Sequence, residues 1–342
     1  MNAERNDAPP GHLSSDMKTT QLNRQPAAVT QQSDTLEIRT ILVPLDFSRA
    51  SMQAVTYAIP IAEEFKAAIH LVHVQPTDDL TEISQAGHMM LNCTDAIAFM
   101  QDRLAEVQEK HDVQFWPDNC HVVSGRPFEE ICKLARELGV ELIVLPTRGH
   151  SGLKHVALGS TAERVVRHTP CPVLIPRGKK FKAVTWNGKP AGKFEVRQIL
   201  VPVDFSDCSL AGVKYAARLA KRFGAKLHLF HAVFPYAQMI AVDRMGGELR
   251  PLLESAQANA EEAMQKLQQS VFLRGVSCET EVRAGAAIDE ICAASGRDNV
   301  ELVVTSTHGR TGFSHALIGS VAEHVVRYAE CPVLVVPSRG GS

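Results

Sequence analysis

The feature that most limits what this chain can become is that it is written twice. ILVPLDFS at residues 41–48 returns as ILVPVDFS at 199–206, an offset of 158. GSTAERVVRHTPCPVLIP at 159–176 returns from Gly319 as GSVAEHVVRYAECPVLVVP, an offset of 160. The two-residue drift must be absorbed between His231 and Gly285. A unit of this size is a whole domain, since solenoid repeats run to about 20–50 residues. The expectation is one domain at 37–176 and its duplicate at 196–338, which suits 342 residues at about 150 per domain.

Each copy alternates short apolar runs with amphipathic stretches. In the first copy ILVPLD, IHLVHV, CHVVS, ELIVLP and PVLIP are apolar at nearly every position, as strands covered on both faces are. Between them Ala96, Phe99, Met100, Leu104 and Val107 recur at helical spacing. In the second copy Leu253, Ala256, Ala260, Ala263, Met264 and Leu267 do the same. The methionines read as core filler. The order βαβαβαβαβ implies parallel strands joined by right-handed crossovers, with helices on both faces. The fold class is therefore α/β, as two tandem doubly wound domains. Residues 1–36 are polar, rich in Gln, Asn, Ser and Pro, and cannot bury enough surface to offset their ordering entropy; a disordered tail is expected. Residues 177–195, RGKKFKAVTWNGKPAGKFE, form a basic linker or, around Asn187-Gly188, a small hairpin.

Composition removes several function classes. Lys and Arg total 36 against 38 Asp and Glu, a net charge of −2, without the basic excess that phosphate-backbone binding requires. No apolar run approaches the roughly 20 residues of a membrane span, and the first residues carry no secretory signal. A cytoplasmic protein with no nucleic-acid or membrane partner is expected. The eight cysteines contain no C-x-x-C pair, so neither a zinc knuckle nor a dithiol site is written.

In open α/β sheets ligands bind beyond the carboxyl ends of the strands, where strand order reverses. Two loops in each copy fall there. The first, P-x-D-F-S, carries Pro44 and Asp46, or Pro202 and Asp204. The second, after the fourth strand, reads PTRGHSGLKHVALGS or STHGRTGFSHALIGS. Its glycines admit close backbone approach, and its Gly-Ser step opens a helix whose first N–H groups lack partners, a natural phosphate site. Arg148 and His150, or His308 and Arg310, add cationic groups. A plainer account stands beside this one: Ser160 with Glu163, and Ser320 with Glu323, spell the S-x-x-E capping box and would serve merely to start the helix.

Other chemistries are absent from the sequence. No G-x-G-x-x-G follows strand 1, no G-x-x-x-x-G-K-[ST] occurs, and no G-x-S-x-G elbow is present. His70-x-x-His73 and His228-x-x-His231 look like metal ligands, but residues three apart on a strand face opposite sides, so they read as partly buried histidines. Cys132, Cys292, Cys171 and Cys331 recur in equivalent core-like places and read as small hydrophobes. Cys93 and Cys208 recur nowhere, and nothing near them argues for activation.

ILVPxDFS, LVHV, THGRTGF, GSVAEHVVR and CPVLVV, in that order and twice over, resemble the universal stress protein family across nearly the whole of both copies. The resemblance implies a five-stranded parallel sheet of order 3-2-1-4-5 in each domain, with strands 1 and 4 adjacent. It implies ATP, with or without Mg2+, bound through a G-x2-G-x9-G-[ST] loop. Gly149 with Gly159-Ser160, and Gly309 with Gly319-Ser320, match its later part, while Pro146 and Ser306 replace its first glycine. Proline fixes φ and lacks an N–H, so copy one departs further. By similarity Pro44, Asp46, Pro202 and Asp204 line the adenosine, and the backbone at Val74 and Ala232 meets the adenine edge. Gly149, Gly159, Ser160 and Thr161 hold phosphates in one copy; Gly309, Gly319, Ser320 and Val321 do so in the other, the favoured site. The family also pairs domains through the last strand, which implies an intramolecular pseudo-dimer here and leaves room for a further homodimer.

Three functions follow. The first is an adenine-nucleotide-binding stress-response or regulatory protein without a dedicated catalytic group, since backbone N–H groups cradle phosphate but do not move protons. The second is a scaffold whose nucleotide sites have decayed, as Pro146 and Ser306 suggest. The third is an enzyme splitting ATP between its α and β phosphates, disfavoured because VPLDFSRAS and VPVDFSDCS stand where an SGGxDS-type loop is needed.

Overall fold

The computed structural model describes residues 36–76, 93–111, 115–146, 158–177, 194–233, 249–309 and 318–337. The expected tail up to residue 35, residues 178–193 of the expected linker and most of both glycine loops (147–157 and 310–317) lie outside these residues. Leu36, the last residue of the expected tail, is 4% exposed and packs in the core.

Copy one runs β1 (Thr40–Leu45), α1 (Arg49–Phe65), β2 (Ala68–Gln75), α2 (Cys93–His111), β3 (Cys120–Ser124), α3 (Pro127–Glu137), β4 (Leu142–Val144), α4 (Ser160–His168) and β5 (Val173–Ile175). Copy two repeats it as β6 (Gln198–Pro202), α5 (Asp207–Phe223), β7 (Lys226–Val233), α6 (Leu249–Gln268), β8 (Cys278–Ala284), α7 (Ala287–Ser295), β9 (Leu302–Ser306), α8 (Ser320–Tyr328) and β10 (Val333–Val336). Within each copy the strands are parallel in the order 3-2-1-4-5, the doubly wound arrangement expected.

Alternation along the strands builds two cores. Ile41, Val43 and Leu71 face Val55 and Ile59 of α1 and Met100 and Leu104 of α2. Leu42, Val72 and Ile143 face the other way, toward Ile131 of α3 and Val165 of α4. One-residue steps on a strand change faces, so a run apolar at every position feeds both layers. Phe99, expected in the apolar stripe of α2, is instead 42% exposed, and rests edge-on against the ring of Phe47 at 5.0 Å.

The two sheets are continuous. β5 and β10 pair antiparallel, with Leu174 opposite Leu334, giving one ten-stranded sheet in which neither strand is left as an exposed apolar edge. Phe223 at the end of α5 meets Phe65 of α1 at 5.7 Å and Phe194 at 5.2 Å. Arg222 completes this seam with bonds to the carboxylate and the carbonyl of Glu64, at 2.9 and 2.8 Å. Strand register also locates the drift between the copies. Val72 faces His121, whereas its counterpart Phe230 faces Glu281, so the two extra residues precede β8.

Among the described residues no helix is long and apolar enough to cross a membrane.

Candidate functional site

Strands β6 and β9 are neighbours, so the loops leaving their carboxyl ends converge. Pro202 is the last residue of β6, and Asp204 follows two residues later. The chain turns sharply there: Phe205 has φ +64°, and Phe47 in copy one has φ +59°. A bulky residue in the left-handed region is an outlier that its surroundings must hold. The Oδ1 of Asp204 accepts from the Ser206 N–H at 3.0 Å and the Ser206 hydroxyl at 2.6 Å. Ser206 in turn caps α5 by accepting from the Ser209 N–H at 3.2 Å. Copy one repeats the bond from Ser48 N–H to Asp46 Oδ1 at 3.0 Å, with Ser48 capping α1. The sequence thus ties each aspartate to the start of the next helix.

The other oxygen of Asp204 faces the glycine loop. A Cβ built on Gly309 would lie 2.5 Å from Asp204 Oδ2, closer than any side chain could be accommodated without a shift. A Cβ on Gly319 would lie 3.7 Å from the Gly309 nitrogen and 3.5 Å from the Thr307 carbonyl, and the Gly319 N–H donates to that carbonyl at 2.8 Å. Asp204, Gly309, Gly319 and the first turn of α8 at Ser320 and Val321 are therefore brought together. Ala232, the penultimate residue of β7, lies beyond the last β6 partner, Phe230. Copy one places Pro44, Asp46, Val74, Gly159, Ser160 and Thr161 on the equivalent elements. Gly149 lies outside the described residues, as do Arg148, His150 and Arg310.

The capping box is not formed, and that expectation is corrected. The caps are Gly159 and Gly319, neither with a side-chain cap bond. Ser160 and Ser320 are the first helical residues, which puts Glu163 and Glu323 at the fourth helical position, one beyond the third that a box requires. Their carboxylates go elsewhere, Glu163 to Arg167 and Glu323 to Arg327 at 2.6 Å. Both helices therefore begin without a side-chain cap bond, with exposed serines and first-turn N–H groups lacking intrahelical partners.

The copies differ at the lost first glycine. β9 runs to Ser306, whereas β4 stops at Val144, two residues before Pro146. Ser306 is buried and its hydroxyl donates to the His308 carbonyl at 2.9 Å. Gly212 of α5 leaves room beside it, where copy one has Ala54.

The two histidines of each pair meet different partners on opposite faces of their strand. Among the described residues there is no group of three or more His, Cys, Asp or Glu able to hold a metal. His70 Nδ1 lies 3.0 Å from His121 Nε2, and burial depresses both rings' basicity. His228 Nε2 meets Glu281 at 2.7 Å; Arg297 holds that carboxyl down to about 2, while burial keeps the imidazole low. His73 and His231 face away from these and bond the carbonyls of Leu45 and Val203 at 2.9 and 2.6 Å. The sequence hinted at this role only by repeating the histidine at the offset of the aspartate. Burial raises three of the recurring cysteines, Cys132 to about 11, Cys171 to about 12 and Cys292 upward, which keeps them thiols.

Comparison with known proteins adds to this geometry. The model of the universal stress protein family matches residues 37–177 and 195–337. Universal stress protein MJ0531 of Methanocaldococcus jannaschii is 34% identical over 142 residues, 41% of this chain and 81% of that protein. Universal stress protein YxiE of Bacillus subtilis is 32% identical over 144 residues, 40% of this chain and 97% of its own length. The solved structure of a universal stress protein from Archaeoglobus fulgidus superposes with a TM-score of 0.60 at 20% identity, covering 89% of this chain and all of that one.

Proposed function

The chain belongs to the universal stress protein family, and from that premise we propose that it binds an adenine nucleotide in its second copy as a stress-response regulator, without turning it over. The observation that carries this reading is the Asp204 carboxylate, whose Oδ2 lies 2.5 Å from where a Cβ of Gly309 would be, beside the start of α8, which has no side-chain cap. The glycine admits both the acidic side chain and a close-lying ligand. The helix start supplies N–H donors and a partial positive charge to phosphates. Val321 and Ser320 would hold those phosphates, Asp204 the sugar, and the backbone at Ala232 the base. Pairing through β5 and β10 supports a pseudo-dimer of the two copies.

Pro146 and the shortened β4 favour a different role for copy one, as the structural partner of a binding copy. Calorimetric titration with Mg-ATP separates the cases. Gly319→Val abolishes binding, and Gly159→Val leaves most of it. At 100 times the dissociation constant ATP adds about 2.7 kcal/mol of stability. No thermal shift at millimolar ATP would leave only the scaffold.

A further inference from the structure

We propose that His231 is the positioning residue of the copy-two crevice, holding the peptide that precedes Asp204 so that its carboxylate reaches Gly309; His73 holds the peptide that precedes Asp46 in the same way. The inference rests on the site proposed above, and adds a residue that touches no ligand.

The β6 ladder with β7 ends at Pro202 opposite Phe230, followed by one bond from the Val203 N–H to the Phe230 carbonyl at 2.8 Å. Past that point the backbone of β6 needs a partner from elsewhere. The Val203 carbonyl, which belongs to the peptide joining Val203 to Asp204, accepts from His231 Nδ1–H at 2.6 Å. A carbonyl can only accept, so the bond requires the proton on Nδ1. The same ring lies 4.8 Å from the ring of Phe205, tilted by 50°, and Phe205 is the residue held at φ +64°. One buried imidazole therefore braces both sides of Asp204: the carbonyl before it by a hydrogen bond, the strained residue after it by ring contact. Copy one repeats the arrangement, His73 meeting the Leu45 carbonyl at 2.9 Å and the Phe47 ring at 4.8 Å. A core histidine with no role in the loop would need neither the shared bond nor the shared ring contact in both copies.

The amide of asparagine can place its nitrogen near Nδ1, whereas leucine fills the space and donates nothing. In the ligand-free protein the Ser206 N–H, bonded to Asp204 Oδ1, reports whether the loop is held. Its hydrogen exchange is expected to quicken about tenfold in His231→Leu, the weight of one lost hydrogen bond, and to return to near the wild-type rate in His231→Asn. Equal exchange in all three proteins overturns the proposal, provided that their melting temperatures agree. If His231→Leu fails to fold, His231→Asn is compared with His231→Gln, whose amide reaches the Nε2 position; protection by asparagine alone supports the proposal and equal exchange in both overturns it. ATP affinity is read in parallel and should fall with the exchange protection. A wild-type chain that binds no adenylate sinks the nucleotide reading, and leaves the exchange comparison to decide the positioning role.

Discussion

Replacing Gly309 with alanine tests whether the Asp204 contact is a real constraint. The new Cβ would stand 2.5 Å from Asp204 Oδ2, against about 3.4 Å for ordinary contact. The carboxylate must retreat by most of an ångström, and its other oxygen is anchored to the Ser206 N–H and hydroxyl at 3.0 and 2.6 Å. Hydrogen bonds to charged groups contribute about 1.5–3 kcal/mol each. Asp204 is half-buried and the retreat weakens the bonds without abolishing both, so the net cost is about 2 kcal/mol. In a domain of about 150–250 residues each kcal/mol moves the melting temperature by about 2–4 °C, so calorimetry should record a fall of about 4–8 °C. The double substitution isolates the cause. Asp204→Ala forfeits the same bonds, and in its background Gly309→Ala has no carboxylate to displace. The pair should therefore melt where Asp204→Ala does. A double variant whose loss equals the sum of the single losses would refute the argument, since residues in contact are expected to couple and distant ones to add.

Two further outcomes follow from the described contacts. Burial depresses the folded-state basicity of His70, His121 and His228 below the ordinary value of about 6.5, so acid protonates the unfolded chain first. Stability should be level above that pH and fall as pH drops through and below it, with a shallower fall in His121→Leu; a melting temperature indifferent to pH between about 5 and 7.5 would contradict this. Leu174→Asp places a carboxylate at the buried junction opposite Leu334 and should lower the melting temperature by about 10 °C or split the transition in two, as scanning calorimetry would show.

The fold was legible because strands buried on both faces read as unbroken apolar runs, and because each run appears twice. Asp204 and the Gly-Ser helix start were legible for the same reason: short polar motifs stand out at the ends of such runs. Four things were hidden. The cap fell on Gly319 and not on Ser320, a shift of one residue that leaves the S-x-x-E spelling intact while moving Glu323 out of reach. The left-handed turn at Phe205 carries no mark, because turn rules look for glycine or asparagine and here a distant imidazole holds the conformation. That imidazole bonds a carbonyl 28 residues away, a separation that no local period encodes. The equivalence of His121 with Glu281 was likewise invisible until strand register showed where the extra residues sit.

The antiparallel junction has a consequence for how two such crevices can act together. Strands of copy one point one way along the shared sheet and strands of copy two the other, so the carboxyl ends that build the crevices lie at opposite edges. A single small ligand cannot bridge them. What the copies share is the helix pair that opens each crevice. Arg327, in the last turn of α8, reaches Glu163, in the first turn of α4, at 4.0 Å, while Arg177 donates to the Val326 carbonyl across the same seam. At 1.5 Å per residue the seven steps from Ser320 to Arg327 separate the start of α8 from that contact by about 10 Å. A half-exposed ion pair contributes about 0–1 kcal/mol, too little to hold the copies together, which the buried strand junction does instead. Its position is what distinguishes it: it joins the last turn of α8 in copy two to the first turn of α4 in copy one.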